Sequence, residues 1–205
     1  MQNPNDYLEA GLLLHGHKCP AMPLGLRVGA AALEKLGVER SADGQLMALV
    51  EIGEDHCATC FADGVQMMTG CTFGKGNIRR LGYGKWGVTL IDKASGRAVR
   101  VAPRAEAMEA NKKTEFFAKY RERGVPASKV PADVVDPLVA RVMGAPVDQI
   151  LSISEVFEHP WQDKPNSFAS LRCDSCGEMM VEPYARVRGE QHVCIPCSRK
   201  LDQEA

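Results

Sequence analysis

Cys173, Cys176, Cys194 and Cys197 form two C-x2-C pairs separated by seventeen residues. Thiolates at this spacing can surround one zinc ion, because two residues between sulfurs let a tight turn aim both at the same point. Gly177 follows the first pair and can reverse the chain. Arg188-Gly189 marks a hairpin between the pairs, and only a short helix fits after Cys197. Knuckle, hairpin and helix in that order predict a treble-clef zinc finger. A module of about 35 residues buries too little apolar surface to fold alone, so structural zinc must hold it. Residues 171–205 carry five Lys and Arg against six Asp and Glu. The finger is therefore read as a folding prop or protein-docking module, not a nucleic-acid reader.

A second constellation lies far upstream. His15-Gly16-His17-Lys18-Cys19-Pro20 precedes one predicted helix, and Asp55-His56-Cys57-Ala58-Thr59-Cys60-Phe61-Ala62-Asp63 opens another. Free N–H groups and a partial positive charge at a helix start favour thiolate. If the two starts converge, His17, Cys19 and Cys60 can hold one metal, with Asp63 one turn beyond Cys60 as a further oxygen ligand. Three protein ligands leave a coordination position open, so Cys19, Cys60 and His17 are also the candidate catalytic groups. A second zinc, or another divalent metal, is expected there. Cys57 and Cys60 could instead form a thioredoxin-type C-x-x-C. His15 is read as a surface or satisfied histidine, and Cys71 equally as a buried small hydrophobe or a functional thiol. Gly70 to Asn77 is glycine-rich but is not a phosphate loop, since Gly76 stands where Ser or Thr is needed. Lys75, with Arg79, Arg80 and Lys85, forms an anion-facing patch or a solvated basic loop. In the first case Lys75 joins the candidate catalytic groups.

The elements that must position these residues follow from punctuation and periodicity. Asp6 to Leu14 reads as a short helix. Pro20 opens a second, with an apolar stripe from Leu24 to Leu36 and a stop at Gly37. Gln45 to Ile52 reads as a buried strand, and Asp55 to Thr69 as a third helix. Trp86 to Asp92 and Arg97 to Val101 read as a hairpin turning at Lys93 to Gly96. Arg104 to Arg123 reads as one charged helix, and is a candidate homodimer surface. Asp136-Pro137 opens a helix ended by Gly144. Gln149 to Phe157 alternates as a strand should. The mixture predicts an α+β class, with a core over 1–158, a linker over 159–170 and a four-cysteine finger over 171–205.

Composition narrows the function. The chain has 205 residues with a formal net charge of -1, and 45% of them are hydrophobic. The charge offers no basic face for nucleic acid. No run approaches ~18 apolar residues, so no membrane span is expected. Met1 to Tyr7 lacks the pattern of a secretory signal. Eight cysteines without an export signal point to a reducing, cytoplasmic setting, and an anaerobic host is compatible with them.

The run His15-Gly-His17-Lys-Cys19-Pro20, with Cys60-Phe-Ala-Asp63-Gly-Val-Gln66-Met-Met-Thr69-Gly-Cys71-Thr-Phe-Gly-Lys75-Gly-Asn77, resembles the E-subunit family of formylmethanofuran dehydrogenase. The resemblance covers roughly residues 5–158, and the C-terminal finger is similar to one that some members append. It implies a thioredoxin-like core with a mixed β-sheet flanked by helices. It also implies a metal-accepting cleft at His17, Cys19 and Cys60, with Asp63, Cys71 and Lys75 nearby. Family members are associated with molybdenum or tungsten formylmethanofuran dehydrogenase, which interconverts CO2 and a formyl carrier. The implied function is a metal-binding accessory or redox protein, and the implied partner such an oxidoreductase complex. Ala21 stands where the family usually has glycine, and Cys57 is an addition to the pattern.

Overall fold

Pro4 to Tyr7 makes one turn of 3-10 helix, capped by the Asn3 side chain, and leads into α1 (Leu8–His15). Gly16 ends α1 at φ 85°, a left-handed conformation that turns the chain sharply between His15 and His17. Then come α2 (Ala21–Leu36), β1 (Leu46–Val50), α3 (Cys60–Thr69), β2 (Ile78–Arg80), β3 (Val88–Asp92) and β4 (Arg97–Pro103). After α4 (Ala105–Lys112), α5 (Ala132–Gly144) and α6 (Val147–Ile150), the short strands β5 (Leu151–Ile153) and β6 (Phe157–Glu158) return to the sheet. A computed structural model of the protein describes residues 2–55, 59–163 and 167–204.

The chain divides into two units, Met1–Trp161 and Gln162–Ala205. In the first, the sheet runs β2-β1-β3-β4-β5, with β6 also paired to β4. β1 and β2 are parallel and the other pairs antiparallel, so the sheet is mixed. Helix α2 lies against this sheet and is buried along most of its length, from Ala21 through Leu36. Its other neighbours are α1, α3 and α5. Arg27, although charged, is 7% exposed. Its guanidinium donates to the carbonyls of Val142, Met143 and Ala145, satisfying the C-terminal end of α5.

Helices α2 and α3 run side by side in the same direction, with their N-termini together. A Cβ on Gly25 would stand 2.1 Å from the Phe61 carbonyl oxygen, and one on Gly64 would stand 2.0 Å from that of Met22. Only glycine permits backbones this close. Farther along, Gly29 faces Met68 and Thr69, which keeps the same register.

Three sequence expectations are corrected. Arg104 to Arg123 is not one helix. α4 ends at Lys112, Thr114 bonds back to the Asn111 carbonyl, and a π-helical turn (Phe116–Tyr120) follows, which buries Phe116. Pro137 does not open α5 but lies inside it. Burial of Val135, Leu138, Val139 and Val142 outweighs the lost hydrogen bond. The segment Gln149 to Phe157 is not one strand, because α6 takes its start and Ser154 to Val156 separates β5 from β6. Among the described residues, no helix is long and apolar enough to cross a membrane.

The second unit contains two antiparallel hairpins and a helix. β7 (Ser170–Arg172) pairs with β8 (Met179–Val181), β9 (Arg186–Arg188) pairs with β10 (Gln191–Val193), and α7 (Ile195–Glu204) ends it.

Candidate metal centres

Cys173 and Cys176 occupy the turn between β7 and β8. The Gly177 N–H closes that turn on the Cys173 carbonyl at 2.9 Å. Cys194 and Cys197 lie where β10 gives way to α7. The four sulfurs converge within 4.8 Å of one another. The separation of Cys176 Sγ from Cys194 Sγ is 3.9 Å. Sulfurs on a zinc tetrahedron stand about 3.8 Å apart, given a Zn–S bond of about 2.3 Å. The Cys194 N–H donates to Cys173 Sγ at 3.2 Å. N–H groups of Cys176 first and Cys194 next draw the Cys173 thiol down to about 6, into the thiolate form a metal needs.

The upstream cluster is built where the α2 and α3 starts meet the end of α1. His15, His17, Cys19 and Cys60 each place one donor atom within 4.8 Å of the others. His15 Nε2 is 3.2 Å from His17 Nε2 and 3.6 Å from Cys19 Sγ. On a zinc tetrahedron the corresponding separations are about 3.4 Å and about 3.6 Å. The donor set and its spacing therefore fit a zinc-sized ion.

His15, left out of the ligand set at the sequence level, supplies the fourth donor. The coordination position expected to stay open thus has a protein atom facing it. Asp63, expected as a ligand, lies behind His15 instead, with Oδ2 2.8 Å from Nδ1. Nδ1–H donates to that carboxylate and Nε2 turns toward the cluster, an arrangement typical of metal-bound imidazoles. The signal was the alternation of His15, His17 and Cys19 around a glycine turn.

Electrostatics divides the roles. The Asp63 carboxylate, with Cys60 second, raises the His15 imidazole to about 9. Burial, then the charge on His15, keeps His17 below its ordinary value and therefore neutral. A hydrogen bond from Cys60, then the Met22 and Ala21 N–H groups at the α2 start, bring Cys19 down to about 7. The same hydrogen bond and burial push Cys60 up, so Cys60 holds the shared proton. A cation held by these four groups would displace the protons on His15 and Cys60.

Other expected site residues go elsewhere. The Lys75 ammonium, expected to face an anion, donates to the carbonyls of Ser41 and Ala42 at 2.9 and 3.1 Å, bracing the loop before β1. Cys71 is fully buried in the core, and burial raises its thiol. Cys57 and His56 lie outside the described residues.

The family model described as "FmdE, Molybdenum formylmethanofuran dehydrogenase operon" matches residues 14–155. A "Probable S-adenosyl-L-methionine-binding protein" of Archaeoglobus fulgidus is 30% identical over 211 residues, covering 96% of this chain. The chain spans 54% of that relative, about half its length. The crystal structure of a tungsten formylmethanofuran dehydrogenase FmdE-like protein from Syntrophus aciditrophicus superposes with a TM-score of 0.63 at 22% identity. The match covers 95% of this chain and 91% of that one, and shows a shared fold.

Proposed function

The chain belongs to the FmdE family, and on that premise we propose that it is a metal-binding accessory or redox protein of the formylmethanofuran dehydrogenase type. Its functional centre is the cluster of His15, His17, Cys19 and Cys60, with Asp63 as the group that orients His15. The four-cysteine cluster is a structural zinc site in a treble-clef finger, and the core belongs to the thioredoxin-like class. The cell compartment is the cytoplasm, and the partner is a molybdenum or tungsten oxidoreductase. Convergence of four donor atoms within 4.8 Å, with His15 at zinc-like separations from His17 and Cys19, supports the reading of the core cluster.

A zinc ion there supplies Lewis acidity. The protein's own part is to hold two imidazole nitrogens and two sulfurs at the junction of two helix N-termini, and to fix the His15 tautomer. With all four groups holding a metal, a substrate could reach it only if one donor moved aside. His17 is the ligand best suited to do so. Its ring is neutral and, among the described residues, has no carboxylate brace like that of His15.

Metal analysis tests the reading. Protein purified anaerobically should hold two zinc equivalents per chain, and the Cys19→Ser, Cys60→Ser double variant one. A single equivalent in the parent protein, unaffected by that double change, overturns the core centre. The alternative of a Cys57/Cys60 disulfide predicts a reversible Cys57–Cys60 cross-link on mild oxidation, read by peptide mapping.

A further inference from the structure

His15 sits on a helix that buries little of itself. Only Gly11 of α1 is buried, while Leu13 is 84% and Leu14 59% exposed. The His15 side chain is nevertheless only 7% exposed, and within that enclosure the aim of its ring is set by directed bonds. The first is to Asp63, whose second oxygen, Oδ1, lies 3.4 Å from Nε2 of Gln66. On the far side, Oε1 of Gln66 accepts the backbone N–H of Phe73 at 3.0 Å. That N–H can only donate, so it fixes the amide oxygen toward the loop and turns the NH2 toward Asp63.

The loop that carries Phe73 is itself tied to the sheet. The Thr72 N–H donates to Asn77 Oδ1 at 2.8 Å, and Asn77 Nδ2 donates to the Leu46 carbonyl at 3.1 Å, at the start of β1. Asn77 is 1% exposed. A continuous series of hydrogen bonds thus runs from the sheet through the 72–77 turn, Gln66 and Asp63 to His15. Of its members, His15 alone belongs to the donor cluster.

We infer that Gln66 is a positioning residue for the core metal centre, coupling the backbone of the 72–77 turn to the orientation of Asp63 and hence of His15. This rests on the reading of the core cluster as a metal centre. The motif around Gln66 then has a physical meaning. Asp63 and Gln66, one turn apart, share a face of α3, and the glycine-rich stretch after α3 serves as an anchored donor, not as an anion cradle.

The test is cobalt titration of the full chain, with cobalt(II) as the probe and its ligand-field bands as the readout. These bands differ between a mixed sulfur–imidazole centre and an all-thiolate one. Gln66→Leu should weaken cobalt binding at the mixed centre by about 10-fold and shift its bands, leaving the all-thiolate bands unchanged. Phe73→Pro, which deletes the N–H donor at the other end, should weaken it similarly. In an Asp63→Ala background Gln66→Leu should have no further effect, because the coupling passes through that carboxylate. Wild-type affinity in Gln66→Leu, or a loss that persists without Asp63, overturns the assignment. An unchanged affinity in Phe73→Pro removes the loop from it. Absence of mixed-centre bands in the parent protein overturns the metal-centre reading itself, and the two failures are thereby distinguished.

Discussion

A charged side chain buried beside its partner reports on itself through pH. Glu51 follows β1 with its side chain only 7% exposed, and Arg100 of β4 donates to both its oxygens at 2.6 and 2.7 Å. Gly87 covers the pair so closely that a Cβ there would lie 2.5 Å from Glu51 Oε2. The guanidinium holds the Glu51 carboxyl below its ordinary value of 4.5, against the upward pull of burial. A lowered folded-state pKa contributes stability that is present above the unfolded value and lost as pH falls through the folded one. Thermal midpoints should therefore fall on acidification below about pH 4.5, and Glu51→Gln should flatten that acid limb. At neutral pH the same change should cost roughly 1–2 kcal/mol, discounted because Arg100 is 41% exposed. An acid limb in Glu51→Gln as steep as the parent's would assign the acid sensitivity to other groups. The same contrast explains what the sequence revealed at residue scale. His17, Cys19 and Cys60 announce themselves by type and position, whereas His15 and Asp63 exchange their expected roles because only the turn at Gly16 decides which donor faces inward. Glu51 and Arg100 are 49 positions apart and carry no local signal.

The pairing of α2 with α3 does for the elements what a cross-link would do for the chain. Gly25 and Gly64 bring the backbones together, and the matched register places Cys19, just before α2, beside Cys60, the first residue of α3. Gly64→Ala must push one backbone off another, since its nearest neighbours are the Met22 carbonyl and the Leu26 nitrogen. The expected loss is about 1–3 kcal/mol, together with weaker metal binding at the core cluster and no weakening at the four-cysteine cluster. Gly144→Ala at the end of α5 meets nothing within 4 Å and should be neutral or slightly stabilising. Urea midpoints and metal titration of the two variants check this, and equal behaviour of both would remove close helix approach as the determinant of the site. Helix α2 and the β3–β4 hairpin were legible in the sequence because proline, glycine and apolar period agree there. The close crossing was not, since a glycine within a helix reads only as a weak residue until its neighbour is known. The break after α4 was hidden for a related reason: local propensity over Arg104 to Arg123 favours helix, and the need to bury Phe116 is a tertiary demand.

At the scale of the whole molecule the two units stand on different physics. The first has an apolar core built from α2, α3, α5 and the mixed sheet, with Phe61, Met22, Leu26 and Ile52 fully buried. A core of that size can stand without a cation, even if its centre needs one. In the second, the buried cluster is Cys173, Val193 and Cys197, supported by partly buried Met180, Cys194 and Leu201. Half of those groups are thiols, and without a cation they would repel as thiolates or leave a core with a single buried aliphatic residue. The two C-x2-C pairs made this four-sulfur cluster readable before any coordinates, because their spacing brings the ligand atoms together in pairs. Stripping metal with a chelator under reducing conditions should therefore abolish amide protection in β7 to β10 and α7, while β1, β3 and β4 keep theirs. Hydrogen exchange followed by mass spectrometry reads both units in one sample. Restoring zinc should return protection to the second unit, and Cys176→Ser with Cys194→Ser should prevent that return. If residues 167–204 stay protected in stripped protein, the second unit has a source of stability other than its four sulfurs, and the structural role assigned to the four-cysteine cluster is wrong.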